Sequence, residues 1–372
     1  MHVRQIDTQH APDVEKFVRF PLTLYRNCPQ WAPPLLATMR RSLDRTRHPF
    51  YAHSEADFFV VESADGVLGR IGVLNNQSYN RHHQRRTGFF CYFDVVDDPS
   101  AARALFDAAF DWIRARGLNE AFGPHGLLKL DRGGVMVEGF EHRAAMGVAY
   151  NRPYYDRFLR DAGFAKEFDL LSGRLDEGHH LSERIREISD KVKTRSGLQI
   201  KTFASKKELR AWTPRIAMAY EEAYRDFALY YPRTDAERVL MAEEMLNVAD
   251  PSMIKLVLRG DEVAGFLLAF PDLADGLRRA GGELWPFGWW HLRRAWRRRE
   301  WCDITHVGLL PAFRGRGASF TLYTELEPTL YAHGYRHADV QLIQEDNRLS
   351  LADMEAIGVR WYKRHRAYRR TL

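Results

Sequence analysis

Twice along the chain a helical stretch gives way to a β-hairpin, a further strand, a helix, and then more alternating strands and helices. The first round has a strand at "HVRQI" and helical residues 10–46, broken at "PQWAPP". A hairpin follows around Ala64-Asp65-Gly66, then the strand "TGFFCYFDVV" and a helix bounded by Pro99 and Gly117. The second round has the strand "LQIKTF", helices over 206–228 and 234–247, a hairpin around Gly260-Asp261, a strand over 301–309 and a helix over about 316–333. Strands alternating with helices, with some strands joined by hairpins, predict an α/β class built on a mixed sheet. At 372 residues the chain is long for one ordinary domain, which agrees with two copies in tandem. The expected division is 1–175, a polar helical connector over 176–197, and 198–372 with an insertion at about 271–300.

The net charge of +6 is concentrated in "RRAWRRR" and in the last dozen residues, "WYKRHRAYRRTL". Such patches favour phosphates on a cofactor, a nucleic acid or a membrane. Cys28, Cys91 and Cys302 have neither disulfide-framework nor metal spacing, so no metal is expected and the reducing cytoplasm is the expected compartment. The start, "MHVRQIDTQHAPDVEKF", has no apolar signal region, and no run approaches the ~20 apolar residues that span a bilayer.

The stretch "THVGLLPAFRGRGASFTLYTEL", residues 305–326, carries the chemistry. A strand runs through Pro311 into Arg314-Gly315-Arg316-Gly317-Ala318-Ser319 and directly into a helix. Glycines let an anion approach the backbone, and the helix start offers unpaired N–H groups with partial positive charge. In the first half the corresponding strand runs into "DDPSAA", where two aspartates would repel a phosphate.

With these features the second half resembles the GNAT fold, the superfamily that moves acyl groups from acyl-CoA to amines. The first half resembles a degenerate second copy of it, without a phosphate loop. The segments "FPLTLYRNCPQWAPPL", "HPFYAHSEADFF", "YNRPYYDRFLRDAGFAK" and "WPFGW" are similar to those of a bacterial family of tandem GNAT-like proteins. The superfamily's pyrophosphate motif falls on Arg314, Gly317 and Ser319. The resemblance implies that the amides of 315–319 hold the pyrophosphate of acetyl-CoA or another acyl-CoA, with Arg314 and Arg316 adding charge. It implies Leu309 near the acyl carbonyl, and an Asn347 and a Gly358 at matching positions beyond. Where the superfamily carries a tyrosine that protonates the leaving thiolate, this chain has Met354; in the first half Phe158 and Leu159 stand in that region.

Direct attack by an amine needs a base. Asp303, His306 and Glu345, near the edges of the two strands that should splay around the thioester, are the candidates; Glu345, where a strand ends beside Asn347, has the better location, and Asp303 shares its strand with the proposed thioester-binding backbone. The expected activity is acyl-CoA-dependent N-acylation, with acetyl as the first donor and a small molecule or peptide amine as acceptor. Transfer of a longer chain from CoA or a carrier protein at a membrane surface, and a non-catalytic binding module, are the alternatives. In the insertion, four of nine tryptophans lie among seven arginines over 278–299. Residues 278–301 read either as a packed helix or as a surface meeting a membrane or acyl chain; no nucleic-acid motif accompanies them. In "GPHGLLKLDRGGVMVEGF", Lys129, Asp131 and Arg132 read as surface or acceptor-side residues, and "HRAYRR" as an edge strand with solvated charges.

Overall fold

The computed structural model describes residues 1–128 and 133–372. Lys129, Asp131 and Arg132 lie outside the described residues. In chain order the elements are β1 (His2–Gln5), α1 (Ala11–Leu24), α2 (Leu36–Leu43), β2 (Glu55–Ser63), β3 (Gly66–Asn75), α3 (Gln77–His83) and β4 (Thr87–Val95). Then come α4 (Pro99–Arg114), β5 (Glu120–Gly123), β6 (Val135–Glu138), α5 (Tyr155–Asp161), β7 (Ala165–Leu175) and α6 (Glu183–Ser196). They are followed by β8 (Leu198–Lys201), α7 (Lys206–Tyr224), α8 (Asp235–Val248), β9 (Ile254–Arg259), β10 (Glu262–Pro271), α9 (Ala274–Ala280) and α10 (Gly288–Arg297). The chain closes with β11 (Trp301–Leu309), α11 (Ala318–Ala332), β12 (His337–Gln344), α12 (Arg348–Ala356) and β13 (Arg360–Thr371).

The chain gathers into two compact units. One holds Met1–Leu170, Leu273–Ala295 and Lys363–Leu372; the other holds Leu171–Asp272 and Trp296–Tyr362. The dividing point expected near 175 therefore falls inside β7, and residues 176–197 contribute α6 to the second unit. Most of the insertion belongs to the first unit, although it is threaded from the second half of the sequence.

In the first unit the strand order is β1-β2-β3-β4-β5-β13, with β6 also paired to β13. The alternation of β2 through β4 sends Phe90, Phe93 and Val95 into a core closed by Leu105, Phe106 and Phe110 of α4, with Tyr155 and Phe158 of α5. The C-terminal strand departs from its expected character as a solvated edge. Residues Tyr368–Thr371 pair with β5, and Arg364–Arg366 pair with β6. Its charges are matched: Arg366 Nε donates to Asp169 at 2.7 Å, and Arg369 binds Glu120 and Glu167 at 2.6 and 2.9 Å. Sequence pattern missed β6, because "VMVE" has too short an alternation to stand out from the glycine loop around it.

In the second unit the order is β7-β12-β11-β10-β9-β8. Its core lies between this sheet and the helices α6, α11 and α12, with Leu267, Ile304, Val340, Leu322, Leu326, Met354 and Ile357 fully or nearly buried. Tyr220 and Tyr224 of α7 meet Phe266 of β10 and His306 of β11, so α7 covers strand positions alternate to those of the core. Among the described residues no helix is long and apolar enough to cross a membrane.

Candidate active site

The site of the second unit is made by two strands that part. β11 and β12 are parallel and in register from Trp301–His337 to Ile304–Val340. Beyond that pair β11 runs on to Leu309 and β12 to Gln344. The parting coincides with a bulge: on β10, Leu268 pairs with His306 and Ala269 with Ile304, which leaves Thr305 as the extra residue. Thr305 Oγ1 donates to the Leu268 carbonyl at 3.1 Å, which fixes the bulge, and lies 2.8 Å from His306 Nδ1. On its other side β11 stays paired with β10 as far as Leu309–Gly265. On the β12 side of 305–309 the strand no longer pairs with β12, and the Val307 carbonyl there accepts from the Tyr224 hydroxyl at 3.4 Å.

The same strand delivers its chain to the start of α11. Gly315 and Gly317 have φ of +68° and +74°, in the left-handed region that glycine occupies without penalty. A Cβ on Gly317 would lie 2.9 Å from Ile188 Cγ2 of α6, so the turn is also closely packed from behind. Gly317 is the N-cap of α11, and no side chain caps that helix. The first-turn amides of α11 therefore lack the usual side-chain acceptor. Arg316 is exposed at the turn.

Arg314, at the motif position, is anchored to backbone. Its guanidinium donates to the Leu309 carbonyl at 3.1 Å and to the Ala223 carbonyl at 2.7 Å, with Asp226 at 3.5 Å. It ties the end of β11 to the end of α7, and thereby sets the path of the turn. The Leu309 carbonyl is engaged in that tie. Asn347 caps α12, its side chain accepting from Ser350 N–H at 3.2 Å. Met354 is 2 % exposed in the core, in the same buried cluster as Ile304 and Val340, and its thioether has no proton to give. The preceding residue, Asp353, lies against Ser319; burial raises its carboxyl above the usual range, and the hydrogen bond to Ser319 opposes that.

The structure separates the two preferred base candidates. Asp303 is 1 % exposed and sits in the closed part of the strand pair, opposite Asp339, which accepts from the Tyr362 hydroxyl. Its neighbour Cys302 has a thiol pushed well up by burial, then by Asp303, Asp339 and Asp272. Glu345 follows the end of β12, six residues beyond Asp339, which is roughly 20 Å along an extended strand. His306 stands where the strands part, its ring 5.3 Å from Tyr220 and 6.2 Å from Tyr224. Neither tyrosine could be assigned to the site from sequence, since helical spacing alone reads them as core.

Over β9 and β10 lies an apolar groove that opens to solvent. It runs between α7 and α8, with small side chains Thr213, Ala217 and Ala242 beside Met241 and Met245. Its floor includes Leu268 and Phe270, which pair in register with His306 and Asp303, and Tyr220 links it to His306. Its lining comes from α7, α8, β9 and β10, and Tyr220 is the side chain shared between it and the surroundings of His306.

The first unit repeats the frame and fills it. β4 and β5 are in parallel register only over Thr87–Glu120 to Phe89–Phe122. His125 N–H then donates to the Phe90 carbonyl at 2.8 Å. Further along, Val95 N–H donates to the Tyr155 hydroxyl at 2.9 Å, and the Tyr154 hydroxyl donates to the Val95 carbonyl at 2.9 Å. Asp98 caps α4, accepting from Ser100 N–H at 2.8 Å and Ala101 N–H at 3.3 Å. Where α11 has no side-chain cap among the described residues, α4 has two of its first amides capped by Asp98. The sequence expectation placed Phe158 and Leu159 here, but it is Tyr154 and Tyr155 that reach the strand.

Two such units, each with a strand pair that parts in front of a helix N-terminus, define a tandem protein of the GNAT N-acyltransferase fold. The chain shares that fold over its whole length with a tandem GNAT protein from the clavulanic acid biosynthesis pathway: TM-score 0.58 at 12% identity, covering 100% of this chain and 98% of that one. A GCN5-related N-acetyltransferase from Sphaerobacter thermophilus superposes with a TM-score of 0.52 at 14% identity, covering 99% and 95%. In sequence the chain is similar to the bacterial ceramide synthase of Caulobacter vibrioides, 26% identical over 99% of this chain and 97% of that protein. It is also similar to protein YghO of Escherichia coli, 23% identical over 97% and 93%. No family model matches the chain.

Proposed function

We propose that this protein is an acyl-CoA-dependent N-acyltransferase that transfers a long hydrocarbon acyl chain to an amine. The observation that carries acyl transfer is the parting of β11 from β12 at the Thr305 bulge, in one run with the glycine turn and the uncapped start of α11. Pyrophosphate would be held by amides of 315–319, whose glycines leave room for it, with Arg316 adding charge and Arg314 fixing the turn. The thioester arm would lie against the β12 side of 305–309. The acceptor nitrogen attacks the thioester carbonyl, the C–S bond breaks, the sulfur leaves as the thiolate, and the nitrogen gives up one proton to a base as the amide forms. His306 is the residue best situated to receive that proton. With Met354 in the core, the thiolate would leave without a tyrosine acid, which its low basicity tolerates.

Chain length is the finer question. Between acetyl and a long acyl group, the apolar groove between α7 and α8, floored by Leu268 and Phe270 of the strand that pairs with β11, favours the long one, since it offers an apolar surface that an acetyl group would not need. The similarity to a ceramide synthase favours it too, because a ceramide is the amide of a fatty acid with a long-chain amino alcohol. The proposed acceptor is accordingly a sphingoid-type amine.

Incubation of the purified chain with palmitoyl-CoA and sphinganine, with release of free CoA thiol and amide product followed together, tests this. Stoichiometric thiol and amide are expected, with much less from acetyl-CoA. Gly315→Glu, whose side chain would meet open space at the turn and bring a negative charge there, should abolish donor binding in calorimetry. Donor binding without turnover on any amine would favour a binding module. Absence of binding by any acyl-CoA would refute the assignment of the turn.

A further inference from the structure

The tip of the insertion presents apolar side chains to solvent. Exposed large apolar residues are sparse on this protein, yet Leu284, Trp285, Phe287, Trp289 and Trp290 fall within seven consecutive positions. Trp285 is 83% and Phe287 72% exposed. A run of this kind is rare on a monomeric surface and marks a contact with something apolar.

This tip is held out by its base rather than left loose. Gly282 accepts from Leu36 N–H at 2.9 Å, and Glu283 is gripped by Arg40 at 2.6 Å and by Arg19 at 2.7 Å. Arg278 Nε donates to the Trp31 carbonyl at 3.1 Å. On the inner side, Leu292 and Ala295 of α10 close against Gly276 of α9. The outer side of α10 is left with Trp289, Trp290, Arg293 and Arg294, the last with its guanidinium 5.7 Å from the Trp290 ring centre. Arg279 is exposed as well. Over 273–295 four arginines stand against Asp275 and Glu283, and Glu283 is already paired.

We infer that residues 284–294 dock the protein on an anionic lipid bilayer, with Trp285 and Phe287 entering the headgroup–acyl boundary and Arg279, Arg293 and Arg294 meeting lipid phosphates. Tryptophan beside arginine suits that boundary, where an apolar ring and a charged head are both accommodated. The excess of positive charge at the rim selects an anionic surface over a second copy of this chain, which would set arginine against arginine. This docking stands on the exposed side chains and does not depend on the reaction assigned above.

The test is flotation of the full chain with vesicles of phosphatidylcholine alone and of an equimolar phosphatidylcholine–phosphatidylglycerol mixture, at low and high salt. Binding to the anionic vesicles is expected, weaker to neutral ones and weaker at high salt. The double variant Trp285→Ser, Phe287→Ser should lose binding at least tenfold with an unchanged unfolding midpoint, since neither side chain is buried. Arg293→Gln with Arg294→Gln should remove the preference for anionic lipid while leaving residual attachment. Equal flotation of wild type and the aromatic variant, or none of either, would overturn the inference. So would a wild-type dimer in sedimentation that the aromatic variant converts to monomer, which would identify the patch as a self-contact.

Discussion

Ala217 offers a perturbation whose effects on stability and on activity should have opposite signs. It lies on α7 in the wall of the cavity, facing α8 between Thr213 and Met241. Ala217→Leu adds three carbons into space that is empty in the folded chain. Each buried methylene contributes about 0.8 kcal/mol, so the variant should be as stable as wild type or up to about 2 kcal/mol more so. If the donor's acyl chain occupies the same space, the variant leaves room for about three fewer methylenes. The longest chain that fills the wild-type cavity would then lose about 2.4 kcal/mol, roughly a sixtyfold fall in kcat/KM. Acetyl transfer would be unchanged, because a two-carbon group does not enter the slot. The assay is kcat/KM against acyl-CoA length, with one amine held constant, beside thermal unfolding of both proteins. Wild type should gain about fourfold per methylene until the slot is full, and Ala217→Leu should reach its plateau about three methylenes earlier. Parallel length profiles would show that the acyl chain lies elsewhere. An equal loss for acetyl and long chains would show that the substitution disturbs the reacting centre instead, and the cavity would then be only a packing defect.

His306→Gln keeps a polar group beside Thr305 but removes the base; kcat/KM should fall by about a hundredfold or more with donor affinity little changed, and the acid limb of the pH–rate profile should flatten. Retention of full activity would exclude His306 as proton acceptor. His365 predicts a pH dependence of stability. It is fully buried, with Nε2 donating to the Ala149 carbonyl at 2.8 Å and Nδ1 without a partner, and burial pushes it down to about 4. The folded chain then holds fewer protons than the unfolded chain, whose histidine titrates near 6.5. Stability should be complete above about pH 6.5 and decline toward pH 4, by roughly 3 kcal/mol in total. His365→Gln, which keeps the bond to Ala149, should remove that part of the slope in denaturant unfolding; an unchanged slope would mean that other groups govern the acid limb.

The doubled order of strands and helices was legible in the sequence because period-2 and period-3.6 patterns and turn residues are local properties. The hairpins at Ala64-Asp65-Gly66 and Gly260-Asp261 and the turn at 314–317 announced themselves in the same way. The acid of "DDPSAA" is equally a local property, and the structure adds that Asp98 caps α4. Local pattern could not supply which groups meet. As sequence, Glu345 at a strand end beside Asn347 has a better claim than Asp303, yet nothing local says that Asp303 pairs in register opposite Asp339, six residues before Glu345. Arg314 fits an anion motif, while the fold spends it on two carbonyls. The C-terminal strand is so charged that it reads as an edge, and only its pairing with β5 and β6 and its partners Asp169, Glu120 and Glu167 bring it inside. The sequence by itself determined the elements and the turn that could hold a pyrophosphate, because each depends on neighbours a few residues apart. Tertiary structure decided the parting of β11 from β12, the apolar groove over β9 and β10, and the exposure of the tryptophans, because each depends on which distant surfaces are left uncovered when the chain packs.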